Sequence, residues 1–275
     1  YEMQRSLVGS EMCIRDSDKA DDAVISAVKN GYRHIDTAQA YGNERGVGAG
    51  VKACGIPREE LFVTSKVAAE AKTYDAAAES IDETLNKMGL DYIDLMLIHS
   101  PQPWTEWRDG KRYFEENIRV WKALEDAYTA GKIKAIGVSN FLIDDLENLL
   151  SHCEIKPMVN QLLIHIGNTP TELIEYCKKR NIVVEAYSPI AHGEALKNET
   201  IVAMSQKYGV SVPQLCIKYV LNLGAVALPK TANAEHMQNN ADLDFEIINE
   251  DMEVLKALDF KDYGEYSFFP VFSGK

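Results

Sequence analysis

Strands alternating with helices along nearly the whole chain predict an α/β protein, a (β/α)8 barrel whose first strand is missing or replaced. Three observations carry this. From residue 18 onward, seven short apolar runs alternate with amphipathic helical periods, the pattern of a parallel sheet with crossover helices. No G-x-G-x-x-G follows any of these runs, so the fingerprint of an open dinucleotide-binding sheet is absent. A closed barrel of this kind needs eight strands, and the eighth is due before residue 18, where the sequence changes character.

Residues 1–17, YEMQRSLVGSEMCIRDS, lack the apolar stretch of a signal peptide and offer only residues 12–14 as a brief extended run. The stretch SLVGSEMCIRDS resembles translated sequencing-adaptor read-through. Residues 1–17 are therefore expected to be non-native, and 18–275 to form a single barrel domain. Residues 18–30 set Ala20, Ala23, Val24, Ala27 and Val28 on one helical face, and Gly31 can end that helix. A strand follows at 33–37 (RHIDT), a helix at 43–54, a strand at 61–66 (LFVTSK) and a helix at 74–88. The run 93–99 (IDLMLIH) is a nearly all-apolar strand, followed by a helix at 114–130 and a strand at 132–138 (KIKAIGV). Then come a helix at 142–152, strand 158–161, helix 171–180 and strand 182–187. Helices at 199–208 and 212–223 precede a last strand at 225–228. One more helix spans 250–258, before an aromatic tail with Tyr263, Tyr266, Phe268, Phe269 and Phe272.

Composition bounds the function. The 275 residues are 46% hydrophobic and 26% charged, which are globular proportions. No stretch reaches the ~20 apolar residues of a membrane span. A formal net charge of −13 argues against a general nucleic-acid binder. Cys13, Cys54, Cys153, Cys177 and Cys216 are odd in number and scattered, which suits free thiols in a reducing, cytoplasmic setting. No Cys/His group has zinc-ligand spacing, so no metal is expected.

In parallel α/β folds chemistry gathers at the carboxyl ends of the strands. Those positions hold Asp36 and Tyr41, Lys66, and His99 on three consecutive strands. Further along stand Ser139, Asn140, Asn160, Gln161, Tyr187, Ser188 and Lys230. The first four make a coherent set. A tyrosine titrates near ~10 in water and needs a neighbouring ammonium to release its proton at neutral pH. The lysine needs a carboxylate to stay charged when buried, and a histidine can orient a carbonyl oxygen.

At these residues the sequence resembles the aldo-keto reductase family, over residues 18 to about 245. The segments that carry the resemblance are GYRHIDTAQAYGNE (31–44), LFVTSKV (61–67), DLMLIHSP (94–101), GKIKAIGVSNF (131–141), VNQ (159–161), AYSPIAHG (186–193) and ALPKTAN (227–233). The nearest subgroup is the bacterial diketogluconate and methylglyoxal reductases. The resemblance implies reduction of a small aldehyde or ketone with NADPH, or NADH, by a monomer. Tyr41 would be the general acid, Lys66 its partner, Asp36 the counter-ion of the lysine and His99 the substrate orienter. Ser139, Asn140 and Gln161 would bind the nicotinamide carboxamide, with Tyr187 stacked beneath the ring. The loop of Ser188, Ile190 and Gly193 would face the pyrophosphate. Lys230 and Thr231 would hold the 2′-phosphate, with His236 nearby and Asn240 at the adenine.

Departures from the family pattern are informative. His236 stands where arginine is common and Asn239 where glutamate is, which implies a weakened preference for NADPH. Ser100 replaces a frequent tryptophan, and Val67-Ala68 a frequent Leu-Trp. The substrate pocket, bordered by Ser100 and Trp104 and covered by residues 259–275, is therefore expected to be roomier or more polar. Two other readings use the same residues: a cofactor-binding or redox-sensing barrel without turnover, and an inactive truncated copy.

Overall fold

The computed structural model describes residues 6–8, 17–231 and 233–273. Eight parallel strands run in sequence order: β1 (Ser6–Val8), β2 (His34–Asp36), β3 (Phe62–Val67), β4 (Ile93–Ile98), β5 (Ile133–Ser139), β6 (Val159–Leu163), β7 (Val183–Tyr187) and β8 (Val226–Leu228). β1 also lies beside β8, so the sheet returns on itself as an α/β barrel. The slot expected to be missing or replaced is thus filled by Ser6–Val8, within the stretch read as foreign, in register with His34–Asp36. The extended run expected at 12–14, and Cys13, lie outside the described residues.

Helices α1 (Ser17–Lys29), α2 (Glu44–Ala53), α3 (Tyr74–Met88), α4 (Phe114–Thr129), α5 (Ile143–Leu150), α6 (Thr171–Lys179), α7 (Glu199–Tyr208) and α8 (Val212–Asn222) fill the crossovers. Their ends follow local chemistry. The Thr73 hydroxyl caps α3 by accepting from the Ala76 amide, and Gly89 ends the helix in the left-handed conformation. Ser211 and Gln214 form a reciprocal capping box on α8. α2 approaches α3 closely because Gly48 has no side chain; a Cβ there would lie 2.1 Å from the Met88 carbonyl oxygen.

Two further helices, α9 (Ala234–Ala241) and α10 (Asn249–Lys256), follow β8. The helical period had not indicated α9, because its sequence AEHMQNNA buries only Met237 and Asn240. Asn233 starts it, accepting from the Glu235 and His236 amides. α9 also ties the end of the barrel to its beginning: Tyr32 donates its hydroxyl proton to the Met237 carbonyl at 3.0 Å. That fastening supplements the short β1.

Register tells which side chains face the barrel interior, since partners in adjacent strands share a face and alternate residues oppose it. Asp36 pairs with Thr64, Thr64 with Leu95, and Lys66 with Leu97. Gly137 pairs with Val159, Ser139 with Gln161, and Gln161 with Glu185. The interior is therefore apolar around Leu95, Leu97 and Val159 and polar towards Asp36, Lys66, Gln161 and Glu185. Met96 and Ile98 alternate outward into the main core under the helices.

Candidate active site

Lys66 and Asp36 meet inside the barrel with Nζ to Oδ1 at 2.5 Å, and their side chains are only 1% and 0% exposed. Nζ also donates to the Thr37 carbonyl at 2.9 Å. Tyr41 closes a 3-10 turn (Gln39–Tyr41) after β2, which Gly42 terminates at φ +67°. This brings the Tyr41 ring to 5.2 Å from Lys66 Nζ. His99, just past β4, meets Tyr41 edge-to-face at 5.7 Å between ring centres. Burial, reinforced by the Lys66 charge, holds the His99 imidazole well below its ordinary pKa, so the ring is neutral. Its Nδ1 is sealed and unpartnered among the described residues, which leaves Nε2 for the cavity.

One cavity at this end of the barrel is lined by Tyr41, His99, Trp104, Ser139, Asn140, Gln161, Tyr187, Ser188 and Lys230, all singled out from sequence. Ser139 Oγ donates to the Gln161 backbone carbonyl at 2.9 Å, and Tyr187 donates to Asn140 Oδ1 at 2.6 Å. Asn140 Nδ2 donates to Ser139 Oγ and the His99 carbonyl. Gln161 Nε2 donates to Asp36 Oδ2 at 2.8 Å and Glu185 Oε2 at 2.9 Å. Both Gln161 N–H groups are thereby spent, and its carbonyl oxygen is the remaining polar atom.

Beyond Tyr187 the backbone turns tightly, with positive φ at Ser188, Ala191, His192 and Gly193. Gly193 N donates to the Ile190 carbonyl, while the Ile190 side chain packs into the main core. Thr231 is half-buried, with Oγ1 accepting from the Asn233 amide. His236 is exposed on α9 and Asn240 is buried there. These three stand outside the cavity lining, beyond Lys230.

The opposite wall is aromatic. Trp104 meets His99 at 5.1 Å and Phe269 at 5.2 Å, and the tail adds Val271 and Phe272. The tail is fastened to the β6–α6 loop: His165 Nε2 and the Tyr263 hydroxyl are 2.8 Å apart, and Phe260 N donates to the Gly167 carbonyl. The Phe260 ring occupies the space where a Cβ on Gly167 would lie. Of the tail residues, Phe268 is instead 74% exposed. Ser100 does not line the cavity. It is fully buried, its Oγ accepts from the Gln102 amide, and its carbonyl accepts from Lys72 Nζ at 2.9 Å. The small side chain turns into its own loop, towards the Gln102 amide.

Sequence reasoning missed Leu228, His192, His34 and Glu185. His192 lines the cavity, stacks on Tyr266 at 4.3 Å, and has its pKa lowered to about 4 by burial and the Lys230 charge. Glu185 and His34 lie one layer below. The signal in the sequence is a charged residue at an inward position of an otherwise apolar strand (VVEAY), away from the strand ends. His34, Asp36 and Glu185 bring three ligand-type atoms within 4.8 Å of one another, a grouping no sequence spacing reveals. The cation beside them is the Lys66 ammonium.

The model of the aldo/keto reductase family matches residues 14–259. The chain belongs to that family. Within it, the chain is similar to the glyoxal reductase of Bacillus subtilis (strain 168), with 44% identity over 246 residues, 89% of this chain and 85% of the relative. An aldehyde reductase of Saccharomyces cerevisiae is 37% identical, over 86% of this chain and 81% of its own. Among solved structures, the aldo-keto reductase of Bombyx mori in complex with NADP superposes with a TM-score of 0.83 at 32% identity, covering 96% of this chain and 92% of that one. As a member, the chain is an NAD(P)H-dependent oxidoreductase acting on carbonyl compounds. The donor set fits a nicotinamide dinucleotide. The side-chain carbonyl of Gln161 can accept from a carboxamide, Ser188 and His192 of the tight positive-φ loop line the cavity, and Lys230 supplies a cation there. No helix among the described residues is long and apolar enough to cross a membrane.

Proposed function

We propose that this chain reduces a small aldehyde or ketone to the alcohol with NADPH, and less selectively with NADH, using Tyr41 as general acid. The observation that carries the reading is the meeting of Tyr41, His99 and the dry Lys66–Asp36 pair at one end of one cavity. Ser139, Asn140 and Gln161 hold the carboxamide, Tyr187 lies against the ring, the loop of Ser188, Ile190 and Gly193 takes the pyrophosphate, and Lys230 with Thr231 takes the 2′-phosphate. His236 and Asn240 on α9 flank the ribose-phosphate and the adenine. When bound, the reduced nicotinamide supplies the hydride that reaches the carbonyl carbon.

The chain's own residues do the rest. His99 donates from Nε2 to the carbonyl oxygen and fixes its direction. Tyr41 passes its proton to that oxygen. Lys66 stabilises the negative charge left on the phenolic oxygen, and Asp36 holds Lys66 in place. Trp104, Phe269 and Phe272 keep water from the reacting centre and contact the substrate. The similarity to a glyoxal reductase supports small, dicarbonyl-type substrates and the methylglyoxal-reductase subgroup. In this reading residues 1–17 are foreign sequence, and 259–275 serve as the substrate loop of a single domain. Following NADPH absorbance with glyoxal as probe tests the proposal. Consumption that depends on glyoxal supports it; saturable NADPH binding without consumption favours the binding-module alternative.

A further inference from the structure

We infer that Glu185 is a positioning residue: it fixes the Gln161 amide in the orientation that offers its carbonyl to the nicotinamide carboxamide, and its charge state is felt at Tyr41 through the Asp36–Lys66 pair. The inference rests on the reductase reading and extends it one layer below the cavity.

Glu185 is the third residue of β7, faces the barrel interior and is 4% exposed. Its register partners are Gln161 on β6 and Val226 on β8. The Gln161 amide stands between two carboxylates, Asp36 Oδ2 and Glu185 Oε2. Asp36, in its ion pair with Lys66, only accepts hydrogen bonds, and Glu185 offers an accepting carboxyl oxygen whether or not it carries a proton, so the NH2 end of Gln161 faces this pair. The flipped amide would set its carbonyl lone pairs against the Asp36 carboxylate. Without Glu185, Asp36 alone would hold one N–H, and the amide could rotate about its last torsion, which is soft.

The titratable groups around Glu185 come from β2 and β3. β2 contributes His34, whose Nε2 lies 4.0 Å from Glu185 Oε1, and Asp36. β3 contributes Lys66; β8 contributes apolar Val226 in register. His34 is buried and bonded to Thr64 Oγ1 at 2.9 Å, with its pKa lowered to about 4, so it is neutral. Burial and the Asp36 charge push the Glu185 carboxyl up to about 7, against the opposing pull of Gln161 and Lys66. With Glu185 protonated, the layer holds one balanced ion pair. Loss of that proton to solvent leaves a net negative charge in a dry layer, which opposes negative charge growing on the Tyr41 oxygen as its proton leaves.

Two variants separate the roles. Glu185→Gln keeps an acceptor for Gln161 and removes the titration; Glu185→Ala removes both. Three readouts apply: the infrared band of protonated carboxyl groups in the cofactor-free protein, NADPH affinity by quenching of tryptophan emission, and kcat with glyoxal across pH. The wild type should show a carboxyl band that fades as pH rises through about 7, and Glu185→Gln should lack it. Glu185→Ala should bind NADPH about tenfold more weakly, while Glu185→Gln binds like the wild type. The wild-type kcat should fall about threefold to tenfold across neutral pH, and that of Glu185→Gln should stay flat. A Glu185→Gln profile superposable on the wild type, or unchanged NADPH affinity in folded Glu185→Ala, overturns the inference. Should Glu185→Ala not fold, the Glu185→Gln profile and carboxyl band still decide. A wild type that binds no NADPH is a different failure, visible before any variant is made, and it overturns the reductase reading.

Discussion

Lys66 and Asp36 form an ion pair at 2.5 Å with essentially no solvent on either side. Removing one member leaves the other charge buried and unpaired, at a cost of about 3–5 kcal/mol. Lys66→Met should therefore be strongly destabilised towards urea. The double variant Asp36→Asn/Lys66→Met should recover most of that stability and none of the turnover. Recovery of both would mean that the pair serves the fold alone.

Stability should respond to pH through two opposed sets of groups. His34 and His165 are buried, with pKa values lowered to about 4. Between about 6.5 and 4 the unfolded chain binds protons that the folded chain does not, so their contribution is present above 6.5 and lost on acidification. Glu185 works the other way. Its pKa is raised from 4.5 to about 7, so its contribution is present below 4.5 and lost as pH rises through 7. Urea unfolding should find Glu185→Gln more stable than the wild type by up to about 3 kcal/mol above pH 7, with the difference vanishing near 4.5. A difference independent of pH would contradict this assignment.

The aromatic wall should govern substrate affinity more than the chemical step. Phe269 packs on Trp104 at 5.2 Å, and Trp104 on the catalytic-end His99. Phe269→Ala should raise KM for an aromatic aldehyde such as 4-nitrobenzaldehyde about tenfold and change kcat little. A fall in kcat with unchanged KM would place Phe269 in the support of His99 instead.

Cofactor preference should be adjustable at one position. His236 is exposed on α9, past Lys230. An arginine there would add a bidentate, permanently charged grip on a 2′-phosphate. His236→Arg should tighten NADPH binding about tenfold and leave NADH binding unchanged. Equal gains for both cofactors would place His236 elsewhere on the bound molecule.

Legibility followed physical visibility. The alternation of strands and helical periods places β2 to β8 to within a few residues, because most strand residues are buried and runs such as IDLMLI are nearly all apolar. α9 escaped because its stability comes from the Asn233 cap and contacts across the barrel seam, which leave no apolar stripe in AEHMQNNA. The four groups Asp36, Tyr41, Lys66 and His99 could be collected because strand ends converge in a parallel barrel. Glu185 and His34 could not, since their meaning depends on register across β2, β6 and β7. The direction of the Ser100 side chain is hidden for a related reason: position beside His99 does not say which way a small side chain turns. The first strand is expected to be missing or replaced, and Ser6–Val8, within the stretch read as foreign, lies in its slot; a parallel ladder is made by backbone and tolerates many sequences.

The most direct measurement is NADPH oxidation by Tyr41→Phe beside the wild type, with glyoxal as probe and NADPH affinity determined in parallel. Turnover should fall by about 10²–10⁴-fold while NADPH binds as tightly as before, since the phenolic proton is removed and the cavity is kept. Retention of more than about a tenth of the wild-type rate would mean that the proton comes from another group and that Tyr41 is not the general acid.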